Sequence, residues 1–288
     1  MTAAHDHDRG LPFDLATMTG RRLMDRRRAL QMVAGAGLAA LVGCGSDGGG
    51  GSAASTTTST AGGSSTTAGS GTAAGSDAEC SAIPEETAGP FPGDGSNGPN
   101  VLAEDSIVRG DIRPSFGSAT GLAEGVPVTL DLTIVDAANG CAPLTGAAVY
   151  VWHCDRDGRY SLYSPGAMDE NYLRGVQETA AGGVVSFTTI FPGCYTGRWP
   201  HIHFEVYAGV GDATGGNRGG VLATSQLAIA EDACNEVYAT DGYAQSVTNL
   251  ASLSLESDNV FADGSAQQLA TVTGGVDDGF VMRLSVPV

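Results

Sequence analysis

The fold is decided by residues 191–206, FPGCYTGRWPHIHFEV. Pro192-Gly193 marks a turn, Tyr195 and Arg198 follow, and His201-Ile202-His203 lead into an apolar run. Successive side chains of a β-strand point to opposite faces, so His201 and His203 share one face and Ile202 and Phe204 the other. Two imidazoles about 6–7 Å apart on one face are a natural start for a metal site. A bare His-x-His is equally what an ordinary strand with two hydrogen-bonded histidines shows, so the count of histidines matters. The chain has five. His5 and His7 lie in an N-terminal stretch that does not read as part of a fold, which leaves His153 and this pair.

On either side of this stretch the chain reads as short strands separated by turns. Residues 126–137 (VPVTLDLTIVDA) alternate, with Val128, Leu130, Leu132 and Ile134 on one face and Thr129, Asp131 and Thr133 on the other. Further strands are expected at 146–154, 184–191, 200–207, 221–230, near 269–273 and at 280–286. Residues 164–172 read as loop, and only 237–252 offers room for a short helix. Many short strands with turn signals between them predict an all-β antiparallel sandwich with long loops and little helix.

The 288 residues divide by composition. Residues 1–43 read as an export signal. A polar, arginine-bearing region ending Asp25-Arg26-Arg27-Arg28 precedes a weak apolar stretch, in the manner of a twin-arginine signal. The stretch ends Leu41-Val42-Gly43-Cys44, which resembles a bacterial lipobox and makes Cys44 the expected lipidated residue. Residues 44–79 are mostly Gly, Ser, Thr and Ala, with almost nothing that could form a core. They read as a tether with a root-mean-square span of roughly 30–35 Å. The folded domain is expected over 80–288. The membrane enters this reading only through a lipid anchor, and the expected location is the cell envelope or the medium.

The formal net charge is −18, and the chain contains no lysine. Beyond residue 43 there are 28 acidic residues against eight arginines. That balance argues against binding nucleic acid or an anionic membrane through a basic surface. Setting Cys44 aside leaves Cys80, Cys141, Cys154, Cys194 and Cys234, with no C-x-x-C spacing to suggest structural zinc. Two disulfides and one free thiol are expected in an exported domain, with Cys194 the unpaired one.

Oxygen donors near the histidine pair narrow the metal. No Asp or Glu adjoins the pair, but Tyr160 and Tyr195 both sit at turns that follow strands. A phenol has a pKa of about 10 and binds a metal well only as phenolate, which a hard trivalent cation promotes. Two phenolates and two imidazoles favour ferric iron over ferrous iron or zinc. Arg198, permanently cationic, suits an anionic intermediate nearby. For either tyrosine alone, core packing is the better reading; only the four donors together point to a metal.

The runs GAAVYVWHCDRDGRYS (146–161), YLRGVQ (172–177), VSFTTIFPGCYTGRWPHIHFEV (185–206) and TSQLAI (224–229) resemble the catalytic core of the intradiol ring-cleaving dioxygenases. The catechol and protocatechuate dioxygenases are the best-known members, and the extracellular branch is the most similar. The resemblance covers about residues 80–250. It implies the β-sandwich of that family and an Fe(III) cofactor held by Tyr160, Tyr195, His201 and His203. Tyr195 matches the axial phenolate that leaves when substrate binds. Arg198 matches the arginine that stabilises the oxidised substrate, and Gln226 a glutamine near the iron. Thr87, Gly89, Pro90 and Phe91 resemble the segment that passes near substrate; Tyr163 and Trp152 are further candidates, with packing favoured for Trp152. The implied reaction opens a catechol-type diol with O2 to a cis,cis-muconate-type diacid. Cys194 departs from the family, which usually has a larger, often aromatic, residue before the tyrosine. Two other readings are a catalytically weak aromatic-binding or envelope module on the same sandwich, and a zinc or copper His-x-His protein unrelated to catechols.

Overall fold

A computed structural model of the chain describes residues 80–215 and 220–288. The expected export signal (1–43), the lipobox cysteine Cys44 and the tether (44–79) lie outside the described residues. Among the described residues nine strands form two sheets. They are β1 (Pro127–Asp136), β2 (Ala142–Pro143), β3 (Ala148–Trp152), β4 (Arg174–Glu178), β5 (Val184–Ile190), β6 (His201–Tyr207), β7 (Val221–Ala228), β8 (Thr271–Gly275) and β9 (Gly279–Pro287). One sheet runs β2-β1-β9-β8, with β5 also paired to β1; the other runs β4-β3-β6-β7. Pairing is antiparallel throughout these strands except between β1 and β9, which run parallel from Val128 opposite Phe280 to Val135 opposite Pro287.

The alternation in β1 does what its pattern predicts. Val128, Leu130, Leu132 and Ile134 are buried and pack with Val149, Val151, Phe187, Ile202, Phe204 and Met282 in the inter-sheet core. Each such side chain removed from water is worth about 1.5–3 kcal/mol before entropy is counted. Strand β6 is different, being buried along its whole length. Its even-numbered residues face the other sheet. His203 and Tyr207 lie on the opposite face, across from Trp152 and Ala148 of β3. A second cluster covers that face, formed by Ala88, Val101, Leu102 and Ile107 with Tyr150, Trp152, Tyr160 and Tyr207. The connection before β1 therefore folds over the outside of the four-stranded sheet, and the histidines lie beneath it rather than in the sandwich.

Helices are short: α1 (Val210–Thr214), α2 (Glu231–Tyr238) and α3 (Ala244–Leu250). The short helix expected within 237–252 is α3, and α2 just before it was not expected; between them Gly242 takes φ +92°, a left-handed conformation. Strand β4 falls just after the expected loop; its sequence RGVQE offers one large apolar residue and no alternation. Cys80 and Cys141 form a disulfide, whereas Cys154, Cys194 and Cys234 are buried thiols. The second expected disulfide is therefore absent among the described residues. The Cys154 thiol donates to the Gly193 carbonyl (3.3 Å) and that of Cys194 to the Arg198 carbonyl (3.6 Å). None of the described helices is long and apolar enough to cross a membrane.

Candidate metal centre

The structure brings His201, His203, Tyr160 and Tyr195 to one point. His201 Nε2 lies 3.2 Å from His203 Nε2, 3.1 Å from the Tyr195 hydroxyl and 3.4 Å from that of Tyr160. The histidines are fixed by the ladder of β6, and His203 is directly opposite Trp152 on β3 and Gln226 on β7. Its ring stacks on the Trp152 indole at 4.9 Å and 6°. Trp152 thus backs the site rather than lining an open pocket. Gly89, at φ +71°, passes over the other side, where a Cβ would stand 3.2 Å from His203 Cε1.

The tyrosines arrive on two abutting turns. Asp155 organises the first: its Oδ1 accepts from the backbone N–H groups of Asp157 and Arg159, and its carbonyl from those of Gly158 and Gly193. The Gly193 bond joins this turn to the one that carries Tyr195. A Cβ on Gly158 would lie 3.0 Å from Tyr195 Cβ, and one on Gly193 only 2.4 Å from the Arg156 carbonyl. The glycines in DRDGRY and FPGCY therefore let the two tyrosine turns touch.

The donor set fits a cation. His201 Nδ1 lies 2.5 Å from the Trp199 carbonyl, so that nitrogen carries the proton and Nε2 presents its lone pair. Burial, reinforced by the nearby Arg198 charge, lowers the His201 pKa from 6.5 to about 3. Burial and His201 push His203 down as well. Both rings are thus neutral at ordinary pH. His203 Nδ1 is buried without a hydrogen-bond partner among the described residues. Burial raises both phenols, Tyr195 to about 12 despite Arg198, and Tyr160 well above its usual value. Two imidazole nitrogens facing each other with two phenol oxygens around them form a cluster that a cation, drawing off phenol protons, satisfies. Among the described residues no group of three or more His, Cys, Asp and Glu has this character. The phenols are what complete the set.

Arg198 and Gln226 lie beside this cluster. Arg198 Nη2 donates to Gln226 Oε1 (2.7 Å), and Gln226 Nε2 donates to the Thr87 carbonyl (2.8 Å). Arg198 Nε donates to Asp258 Oδ2 (3.0 Å). Burial alone would raise the Asp258 carboxyl, but the Arg198 charge and the N–H bonds hold it below its usual range. Phe91 packs 5.0 Å from the Tyr160 ring and 5.1 Å from that of Tyr163. The segment carrying Phe91 is pinned by the fully buried Arg174. Its guanidinium donates to the Phe91 and Pro92 carbonyls, the Tyr150 hydroxyl, and the hydroxyl and carbonyl of Ser161.

Tyr160, Tyr195, Arg198, His201, His203 and Gln226, the expected ligands and their two partners, are therefore neighbours. Asp258 and Arg174 were not singled out: Asp258 lies in an unpatterned connection, and Arg174 could be read only as part of YLRGVQ.

The family model described as Dioxygenase matches residues 98–211, a span that includes both tyrosines, Arg198 and both histidines. A chlorocatechol 1,2-dioxygenase from Rhodococcus opacus is 32% identical over 90 residues, which are 27% of this chain and 35% of that protein. The match thus spans about a third of the curated relative's length. An intradiol ring-cleavage dioxygenase from Tetranychus urticae is 26% identical with a TM-score of 0.51, over 64% of this chain and 87% of that one. The chain thus contains a segment that matches the Dioxygenase family model, and its fold is similar to that of an intradiol ring-cleavage dioxygenase.

Proposed function

We propose that this chain is an Fe(III)-dependent intradiol dioxygenase that opens catechol-type diols with O2. The observation that carries the reading is the convergence of the Tyr160, Tyr195, His201 and His203 donor atoms, with the His201 tautomer already set for a metal. These four residues would hold the iron. When bound, Fe(III) supplies a Lewis acid and electron acceptor that makes the catecholate ring reactive toward O2. Both oxygen atoms enter the product, so catechol plus O2 balances to cis,cis-muconic acid with no outside reductant.

The chain's own residues would bind, orient and move protons. Tyr195 is half-buried whereas Tyr160 is buried, so Tyr195 is the phenol that can swing toward solvent. In its deprotonated form, its oxygen would take a catechol hydroxyl proton. Arg198 would face the negative charge that develops on the substrate oxygens, in a setting where water screens little. Gln226, held between Arg198 and Thr87, keeps that guanidinium edge in place. Phe91 and Tyr163 would bound the ring-binding space.

The test is direct. Iron-loaded protein is expected to carry a tyrosinate-to-Fe(III) visible band, to consume one O2 per catechol and to produce muconate absorbance. A colourless protein with zinc or copper bound, or catechol binding without O2 uptake, would overturn the assignment. Export with a lipid anchor at Cys44 belongs to the same proposal. The Cys80–Cys141 disulfide supports an oxidising compartment. Cys44→Ala is expected to move the protein from the membrane fraction to the medium.

A further inference from the structure

Arg198 bears the largest electrostatic demand of the proposed reaction, and its guanidinium bonds to residues outside its own loop. Thr196 and Gly197 just before it are exposed, and Gly197 has open space around its Cα. What holds it is Asp258, contributed from 60 residues further along the chain. The Asp258 side chain is 0% exposed and that of Arg198 14%. The carboxylate accepts four N–H groups. Oδ2 takes Arg198 Nε (3.0 Å) and the Trp199 backbone (2.7 Å); Oδ1 takes the backbones of Val260 (2.8 Å) and Phe261 (3.3 Å).

Two of these donors come from Arg198-Trp199, the dipeptide that feeds β6. Trp199 in turn offers the carbonyl that fixes the His201 tautomer. The other two come from the start of the 3-10 turn Phe261–Asp263. The carboxylate is thus anchored by backbone on its far side and reaches across to one specific edge of the guanidinium. With Nε on Asp258 and Nη2 on Gln226, the plane of the guanidinium has no rotational freedom left, and neither bond uses Nη1.

We propose that Asp258 is the positioning residue for Arg198, an assignment that rests on the dioxygenase reading above. A buried guanidinium with no counter-charge is costly, and a flexible one gives little directed stabilisation. Asp258 solves both problems. It makes the pair neutral overall and turns the arginine into an oriented dipole aimed from a fixed place. A neutral isostere keeps the shape but leaves the cation uncompensated and free to turn.

A double-mutant cycle on the iron-loaded full chain tests this. Asp258→Asn is expected to lower kcat about 10- to 100-fold. KM and the affinity for 4-nitrocatechol, read from the shift of the visible band, are expected to change less than about threefold. Iron content and the resting visible band stay those of the wild type. In an Arg198→Ala background the same change is expected to cost less than about twofold further, because the residue it orients is gone. Asp258→Glu is expected to recover part of kcat. Equal losses from Asp258→Asn in the two backgrounds, or wild-type kcat in Asp258→Asn, would overturn the proposal. If Asp258→Asn does not fold, the cycle is run with Asp258→Glu, whose loss must likewise vanish without Arg198. A wild-type protein that binds 4-nitrocatechol but cleaves no catechol would instead sink the dioxygenase reading itself.

Discussion

The two halves of the donor cluster are held in different ways. His201 and His203 stand on β6, paired on both sides and buried along its whole length. Tyr160 and Tyr195 stand on turns that depend on Asp155, on a glycine contact and on each other. A strand ladder fixes donors by many cooperative bonds, whereas abutting turns fix them by a few close contacts. The histidine half is therefore built to stay. The tyrosine half, with Tyr195 half-buried, rests on fewer contacts and is the looser of the two.

That contrast can be broken most severely at the strand. His201→Ala is expected to abolish iron retention and reduce O2 uptake to background, measured by metal analysis and an oxygen electrode. Iron held at wild-type level would show that the cluster is not the centre. Next come the two tyrosines. Tyr195→Phe is expected to keep iron, lose much of the visible band and slow turnover about 100-fold or more. Tyr160→Phe, which removes the buried phenol, is expected to lose iron as well. Identical behaviour of the two would erase the distinction drawn here.

The glycine contact gives a smaller and sharper test. Gly158→Ala is expected to destabilise the fold by about 1–3 kcal/mol, because it adds strain at φ +80° to a 3.0 Å approach to Tyr195. Gly197→Ala, at φ +88° but in open space, carries the strain without the contact. A larger drop in melting temperature for Gly158→Ala, with an altered visible band, is the expected outcome.

The smallest effect is on pH dependence. The folded-state pKa of His201 is about 3 against 6.5, so between those values the unfolded chain binds more protons. Metal-free protein is then expected to lose stability as pH falls through that window and to be flat above it. The melting temperature of His201→Gln is expected to vary less with pH over the same range. The Asp258 carboxyl acts at lower pH, its stabilisation being present above 3.8 and lost as pH falls through its lowered value.

What was legible in the sequence follows the same division. Strand β1 announced itself by alternation, because one face is core and the other is not. Strand β6 has no such contrast, being buried on both faces, and was found through the chemistry of His-x-His instead. Short β4 and helix α2 were missed: RGVQE has no period, and EDACNEVY starts without a capping side chain. The turn residues around Tyr160 and Tyr195 were readable because glycine and aspartate carry positional meaning. Asp258 was not. Its partner lies in another part of the chain, and only the packing of the connection after α3 brings them together. Cysteine parity led to an expectation of two disulfides, but Cys154, Cys194 and Cys234 are buried thiols and Cys80–Cys141 is the one bridge among the described residues.

The parallel pairing of β1 with β9 sets the order of assembly. A ribosome makes β1 long before its partner, and β9 lies between β1 and β8 in the finished sheet. Until β9 emerges, one hydrogen-bonding edge of β1 waits open, and closing it requires a long loop to be paid in entropy. Removing residues 279–288 would thus delete an interior strand rather than trim an end, leaving a sticky edge prone to self-association.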